Sequence, residues 1–112
     1  MGEKAIDWRG SSYNDLLAFP EDAKRIAGFE LGRVQHGEDP RDFKRINDWG
    51  AGVIEIRLED NVNQYRVVYV AKFAEAVYVL HSFLKKTQKT SPSDVAIIKA
   101  RYRAVVAERR EL

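Results

Sequence analysis

The 112-residue chain has no cysteine, two histidines, three prolines and no long apolar run. Without cysteine there is no disulfide scaffold, no thiol nucleophile and no thiolate zinc site. Two histidines among dispersed carboxylates do not make a catalytic metal centre, so neither a metal nor a cofactor is expected. No stretch approaches the roughly 20 apolar residues of a membrane span, and the start does not resemble a signal peptide. A membrane partner is therefore not expected, and a cytoplasmic location is.

What is present is the composition of a folded domain: 45% hydrophobic and 11% aromatic residues, with 19 basic against 17 acidic side chains. This length suits one domain, residues 1–112. The small net charge hides an asymmetry. Residues 1–50 hold 8 basic and 10 acidic side chains, whereas residues 51–112 hold 11 and 7. Between Lys85 and Arg103 six basic residues face one acid, Asp94. Such a concentration suits an anionic partner, nucleic acid or an acidic protein segment; a solvated basic helix end is the plainer alternative.

The spacing predicts a short strand at Lys4–Arg9, broken by Gly10-Ser11-Ser12 before a helix over Tyr13–Ala18. Pro20, Glu21 and Asp22 suit the first turn of a second helix. Ala23, Ile26, Ala27, Leu31 and Val34 continue it to a stop at Gly37, making an αα-hairpin. Gly28 and Gly32 within it would allow close approach of a neighbour. Residues 38–52 read as loop. Val53–Leu58, Tyr65–Val70 and Ala76–His81 are rich in Val, Ile and Tyr and read as an antiparallel meander. Ser91-Pro92-Ser93-Asp94 opens a terminal helix from Pro92 to about Glu108, with Val95, Ile98, Tyr102 and Val105 as its apolar stripe. The order β-α-α-β-β-β-α makes an α+β domain, with an antiparallel or mixed sheet, an N-terminal αα-hairpin and a C-terminal helix.

Strand parity locates a candidate face. A hairpin through Asp60–Asn63 sets Arg66 opposite Glu55 or Arg57, according to loop length. Either register puts Glu55, Arg57, Gln64 and Arg66 on one face and Ile54, Ile56, Leu58, Tyr65, Val67 and Tyr69 on the core face. A second hairpin through Lys72–Glu75 would set Val70 opposite Val77 and Arg66 opposite His81, with Tyr78 and Leu80 joining the core. Arg57, outward-pointing Arg66 and His81 would then converge, with Phe83 exposed beside them and Lys85, Lys86 and Lys89 beyond. Guanidinium groups clamp phosphate and stabilise transition-state charge. Imidazole suits proton transfer near neutrality, and an exposed aromatic stacks on an unpaired base. Plainer readings stand beside these: Arg66 and Glu55 as a cross-strand ion pair, and His81 as a hydrogen-bonded strand residue. His36 at a helix end, Trp49 as a loop anchor and Tyr102 in the core all read as structural.

The ordered set Gly52-Val53-Ile54-Glu55-Ile56-Arg57, Tyr65-Arg66-Val67-Val68-Tyr69 and Val79-Leu80-His81-Ser82-Phe83-Leu84-Lys85-Lys86-Thr87-Gln88-Lys89-Thr90-Ser91-Pro92 resembles the HigB-type, phage-related branch of the RelE/ParE toxin superfamily. The likeness spans nearly the whole chain. It implies a RelE-like fold and the toxin of a type II toxin–antitoxin pair, commonly a ribosome-dependent, metal-independent mRNA endoribonuclease that inhibits translation. It implies as partners the ribosome, mRNA and a helix-turn-helix antitoxin of the HigA kind, with operator DNA met only through the antitoxin. The site residues it implies are Arg66 for transition-state charge, Arg57 for phosphate positioning and His81 or Lys85 for proton transfer. Phe83, Lys86 and Lys89 are expected at the RNA. Two alternatives stay open: a ParE-like inhibitor of DNA gyrase that cuts nothing, and an inactive phage-derived domain of the same fold.

Overall fold

The computed structural model describes residues 3–111. Strand β1 (Ala5–Trp8) leads into helices α1 (Ser12–Leu17) and α2 (Glu21–Gln35). Pro20 fixes the extended backbone at the N-cap of α2, Glu21 and Asp22 complement its dipole, and Gly37 with φ +85° ends it. Three sheet strands follow the helices in the expected places: β3 (Val53–Glu59), β4 (Gln64–Val70) and β5 (Ala76–Lys85). A further strand, β2 (Phe43–Arg45), lies where a loop is expected, and helix α3 (Pro92–Arg109) closes the chain. The Ser91 hydroxyl accepts the Asp94 N–H at 3.2 Å, and Pro92 occupies the first turn.

The five strands form one mixed sheet in the order β1-β5-β4-β3-β2, with β1 parallel to β5 and the other pairs antiparallel. One face packs on α1 and α2: Ile54, Ile56, Leu58, Tyr65, Val67 and Tyr69 meet Leu16, Ala23, Ala27, Leu31 and Val34. The other face is covered over part of its area by α3, through Val53, Val68, Val70, Leu80, Ile98 and Val105. The sheet therefore has a second core and one open corner.

Two expectations about β5 are corrected. The ladder sets Val70 opposite Tyr78 rather than Val77, and a bulge beside Val68 and Tyr69 adds a second one-residue shift. Before the bulge, Tyr78 and Leu80 therefore lie under α3, while Val77 and Val79 take the α1/α2 face. After it the parity is restored, and Arg66 faces Phe83, not His81, which stands opposite Val68. The expectation for Gly28 and Gly32 also fails. A Cβ at either would meet nothing within 4 Å, so no neighbour approaches there. Close approach belongs instead to Gly50, at φ +151°, where a Cβ would lie 2.6 Å from the Tyr102 ring.

Candidate functional site

The open corner is built by side chains that alternate along the strands and align across them. One row runs Lys44, Glu55, Val68, His81. The next holds Arg57, Arg66 and Phe83, and the Arg57 N–H donates to the Asp42 carbonyl at 2.9 Å, which brings Asp42 to its edge. The last is Glu59, Gln64, Lys85. The four-residue hairpin is the one formed, since Asp60 pairs with Asn63 and Arg57 stands opposite Arg66. The Asp60 carboxylate accepts the backbone N–H groups of Val62 and Asn63, which fixes that turn.

Arg66 is not outward. It is 3% exposed, as is Glu55, whose Oε1 lies 3.7 Å from the Arg66 Nε. Nη1 of Arg66 donates to the Tyr65 carbonyl at 2.9 Å and Nη2 to Gln64 Oε1 at 2.8 Å, while Nε and Glu55 Oε2 have no hydrogen-bond partner. Burial holds the Arg66 pKa below its ordinary value, Glu55 opposes this, and the charge of Arg57 adds to it. Arg57 itself is exposed.

Arg57, Arg66, Lys85 and Lys86 line a groove of about 550 Å³, together with the neutral residues Val62, Asn63, Gln64, Thr87 and Gln88. No carboxylate lines it. Burial, then the neighbouring Arg66, pushes the Lys85 ammonium below the ordinary lysine pKa. Four cations on a concave wall concentrate positive potential and suit a phosphodiester. Lys89 is exposed and lines an adjoining cavity of about 430 Å³ with Lys85, Lys86 and Asp94.

His81 and Phe83 are placed otherwise than expected. His81 is 5% exposed and does not line the groove. Its Nε2 lies 2.7 Å from Asp94 Oδ1, and its Nδ1 is 3.5 Å from the Arg101 guanidinium, which also donates to the Leu80 carbonyl at 2.8 Å. These bonds dock α3 on β5. Phe83 is 8% exposed and stacks on the His81 ring, with centroids 4.9 Å apart, so it is no open platform. Tyr102 donates to the Ala51 carbonyl at 2.9 Å and packs with Trp49 in the α3 core, as anchors would. His36 holds the Gly32 carbonyl at the helix end.

The structure thus brings Arg57, Arg66, Lys85 and Lys86 together in one groove. Phe83 stands opposite Arg66 but is buried, Lys89 meets Lys85 and Lys86 only in the adjoining cavity, and His81 lies outside the groove. Asp42 and Glu59 are neighbours of the arginines that the sequence did not single out. Strand parity already placed Gln64 there; Asp42 had no signal, because β2 was not visible.

The family model described as Phage derived protein Gp49-like (DUF891) matches residues 14–103. The chain belongs to the Gp49-like family. This phage-derived family is a RelE/HigB-like toxin family, and the observed α+β architecture with its mixed sheet and C-terminal helix is compatible with a RelE-like fold. No curated protein matches the chain. No described helix is long and apolar enough to cross a membrane.

Proposed function

We propose that this Gp49-like protein is the toxin of a type II toxin–antitoxin pair and an endoribonuclease that cuts mRNA on the ribosome. The observation that carries the reading is the groove in which Arg57, Arg66, Lys85 and Lys86 converge with no carboxylate in its lining. A message phosphate would sit between Arg57 and Arg66, whose planar donors match its oxygens. The adjacent 2′-hydroxyl attacks phosphorus, the bond to the 5′ oxygen breaks, and a 2′,3′-cyclic phosphate and a 5′-hydroxyl result. Lys85 suits the proton transfer better than His81, since it lines the groove with a lowered pKa whereas His81 is held by Asp94. Arg66 meets the negative charge that develops on the phosphoryl oxygens. A helix-turn-helix antitoxin is the proposed neutralising partner, and the route to operator DNA.

A second reading, a non-enzymatic inhibitor of DNA gyrase, is favoured by the engagement of His81, which leaves the groove without an imidazole. Primer extension on cellular mRNA after induced expression separates the two. Discrete cuts within translated frames support the endoribonuclease. Intact message with a DNA-damage response supports the gyrase inhibitor, and normal growth with neither points to an inactive phage-derived domain.

A further inference from the structure

A second, smaller cavity of about 100 Å³ adjoins the groove and shares Arg57, Gln64 and Arg66 with it. Its remaining lining is Asp42, Leu58 and Glu59, so the wall changes sign within one row of side chains. Both carboxylates are exposed, and among the described residues neither side chain makes an ion pair or hydrogen bond. Arg66, nearly fully buried, lines both cavities and keeps its Nε without a hydrogen-bond partner. The geometry comes from β2. The hydrogen bond from the Arg57 N–H to the Asp42 carbonyl fixes Asp42 beside that arginine, and Glu59 follows Arg57 on the same face of β3.

We infer that this cavity is a subsite for the edge of one nucleobase and selects bases that carry an exocyclic amino group. The inference rests on the reading of the groove as an RNA phosphate site. With a phosphodiester on Arg57 and Arg66, an attached base reaches the neighbouring cavity, which is too small for a whole nucleotide. Carboxylates are acceptors only. Cytosine offers its N4 amino group and adenine its N6 amino group, whereas uracil presents its O4 carbonyl at the position of the cytosine amino group and meets repulsion there. The arginines grip every sequence alike; Asp42 and Glu59 supply discrimination.

The test is binding of oligocytidylate, oligoadenylate and oligouridylate to the purified protein, beside cleavage mapped on ribosomes. The wild type is expected to hold the first two about five- to a hundredfold more tightly than oligouridylate. The double variant Asp42→Asn, Glu59→Gln should bring those ratios close to one, and Arg57→Ala should weaken all three alike. Both carboxylates are exposed and unbonded, so the double variant should fold normally. Ratios unchanged in the double variant, no preference in the wild type, or no binding of any oligonucleotide would each overturn the inference. Preferential binding with uncut message would uphold the base subsite and sink the endoribonuclease; cutting without base preference would do the reverse.

Discussion

Arg57 and Arg66 stand directly opposite one another across the β3–β4 ladder, one exposed and the other buried against Glu55. Like charges at facing positions are unfavourable. Glu55, one row away on the same face, offsets the repulsion on Arg66, so the two guanidinium groups have separate structural roles.

Substituting them should therefore have different effects. Arg57→Ala should lower cleavage about 10²–10³-fold and leave stability within about 0.5 kcal/mol, as surface changes do. Arg66→Ala should lose activity and also about 3–5 kcal/mol of stability, because it strands the Glu55 carboxylate in the interior. Urea unfolding beside a growth-inhibition assay checks both. Equal stability for the two variants would contradict the burial of Arg66.

His81→Ala should act on stability, not chemistry. It removes the bond to Asp94 and leaves that carboxylate partly buried with only its Ser91 contacts, at a cost of about 1–3 kcal/mol. Cleavage by the folded fraction should stay near the wild-type rate. A rate loss of 10² or more in a fully folded variant would assign His81 to the reaction.

Lys85 sets a pH dependence if it accepts the 2′-hydroxyl proton. Its amine must be neutral, so the rate should climb with pH and level off at the Lys85 pKa, which burial and Arg66 hold below the ordinary 10.5. Lys85→Arg should be nearly inactive and lack that limb. A wild-type profile flat with pH would exclude Lys85 as the base.

Lys86 and Lys89 should separate in salt titrations of RNA binding. Each lost phosphate contact on a single strand reduces the log–log slope by about 0.7. Lys86 lines the groove and Lys89 only the adjoining cavity; if the groove takes the RNA phosphate, Lys86→Ala should flatten the slope and Lys89→Ala should change it less.

At the far end of α3, hydrogen bonds from Arg109 at 2.5 Å and from Tyr78 hold the Glu75 pKa down to about 2, below its usual 4.5. A depressed carboxylate stabilises the folded state above its unfolded pKa and loses that contribution as pH falls through the folded one. The last turns of α3 should exchange amide hydrogens faster as pH drops from about 5 to 2, after correction for intrinsic exchange. Glu75→Gln should remove that dependence.

The hairpin of β3 and β4 was legible because Ile54, Ile56 and Leu58 alternate with charged residues, a period that survives into the structure. Both αα-hairpin helices and the cap at Ser91 were legible for equally local reasons. β5 was not. Buried on both faces, it has no polar alternation from which to fix a register, and its bulge carries no glycine to announce it. β2 escaped because Phe43-Lys44-Arg45 holds one apolar residue and exists by pairing with Ile54–Ile56. The burial of Arg66 escaped because a charge at an alternating position reads as outward, and only the assembled sheet shows Gln64 and Glu55 enclosing it.

The bulge in β5 also bears on how this strand tolerates change in length. Tyr69 faces Val79 and Val68 faces His81, so Leu80 is the one residue its ladder does not need. A single-residue deletion within a two-faced strand ordinarily turns every side chain beyond it inside out. Here, removal of Leu80 alone would leave Val77 and Val79 toward α1 and α2, and His81 and Phe83 toward α3. The loss would be confined to a cavity beside Ile98 and the carbonyl that Arg101 holds. The bulge thus gives β5 one position at which a residue can be lost without inverting either its core half or its groove half.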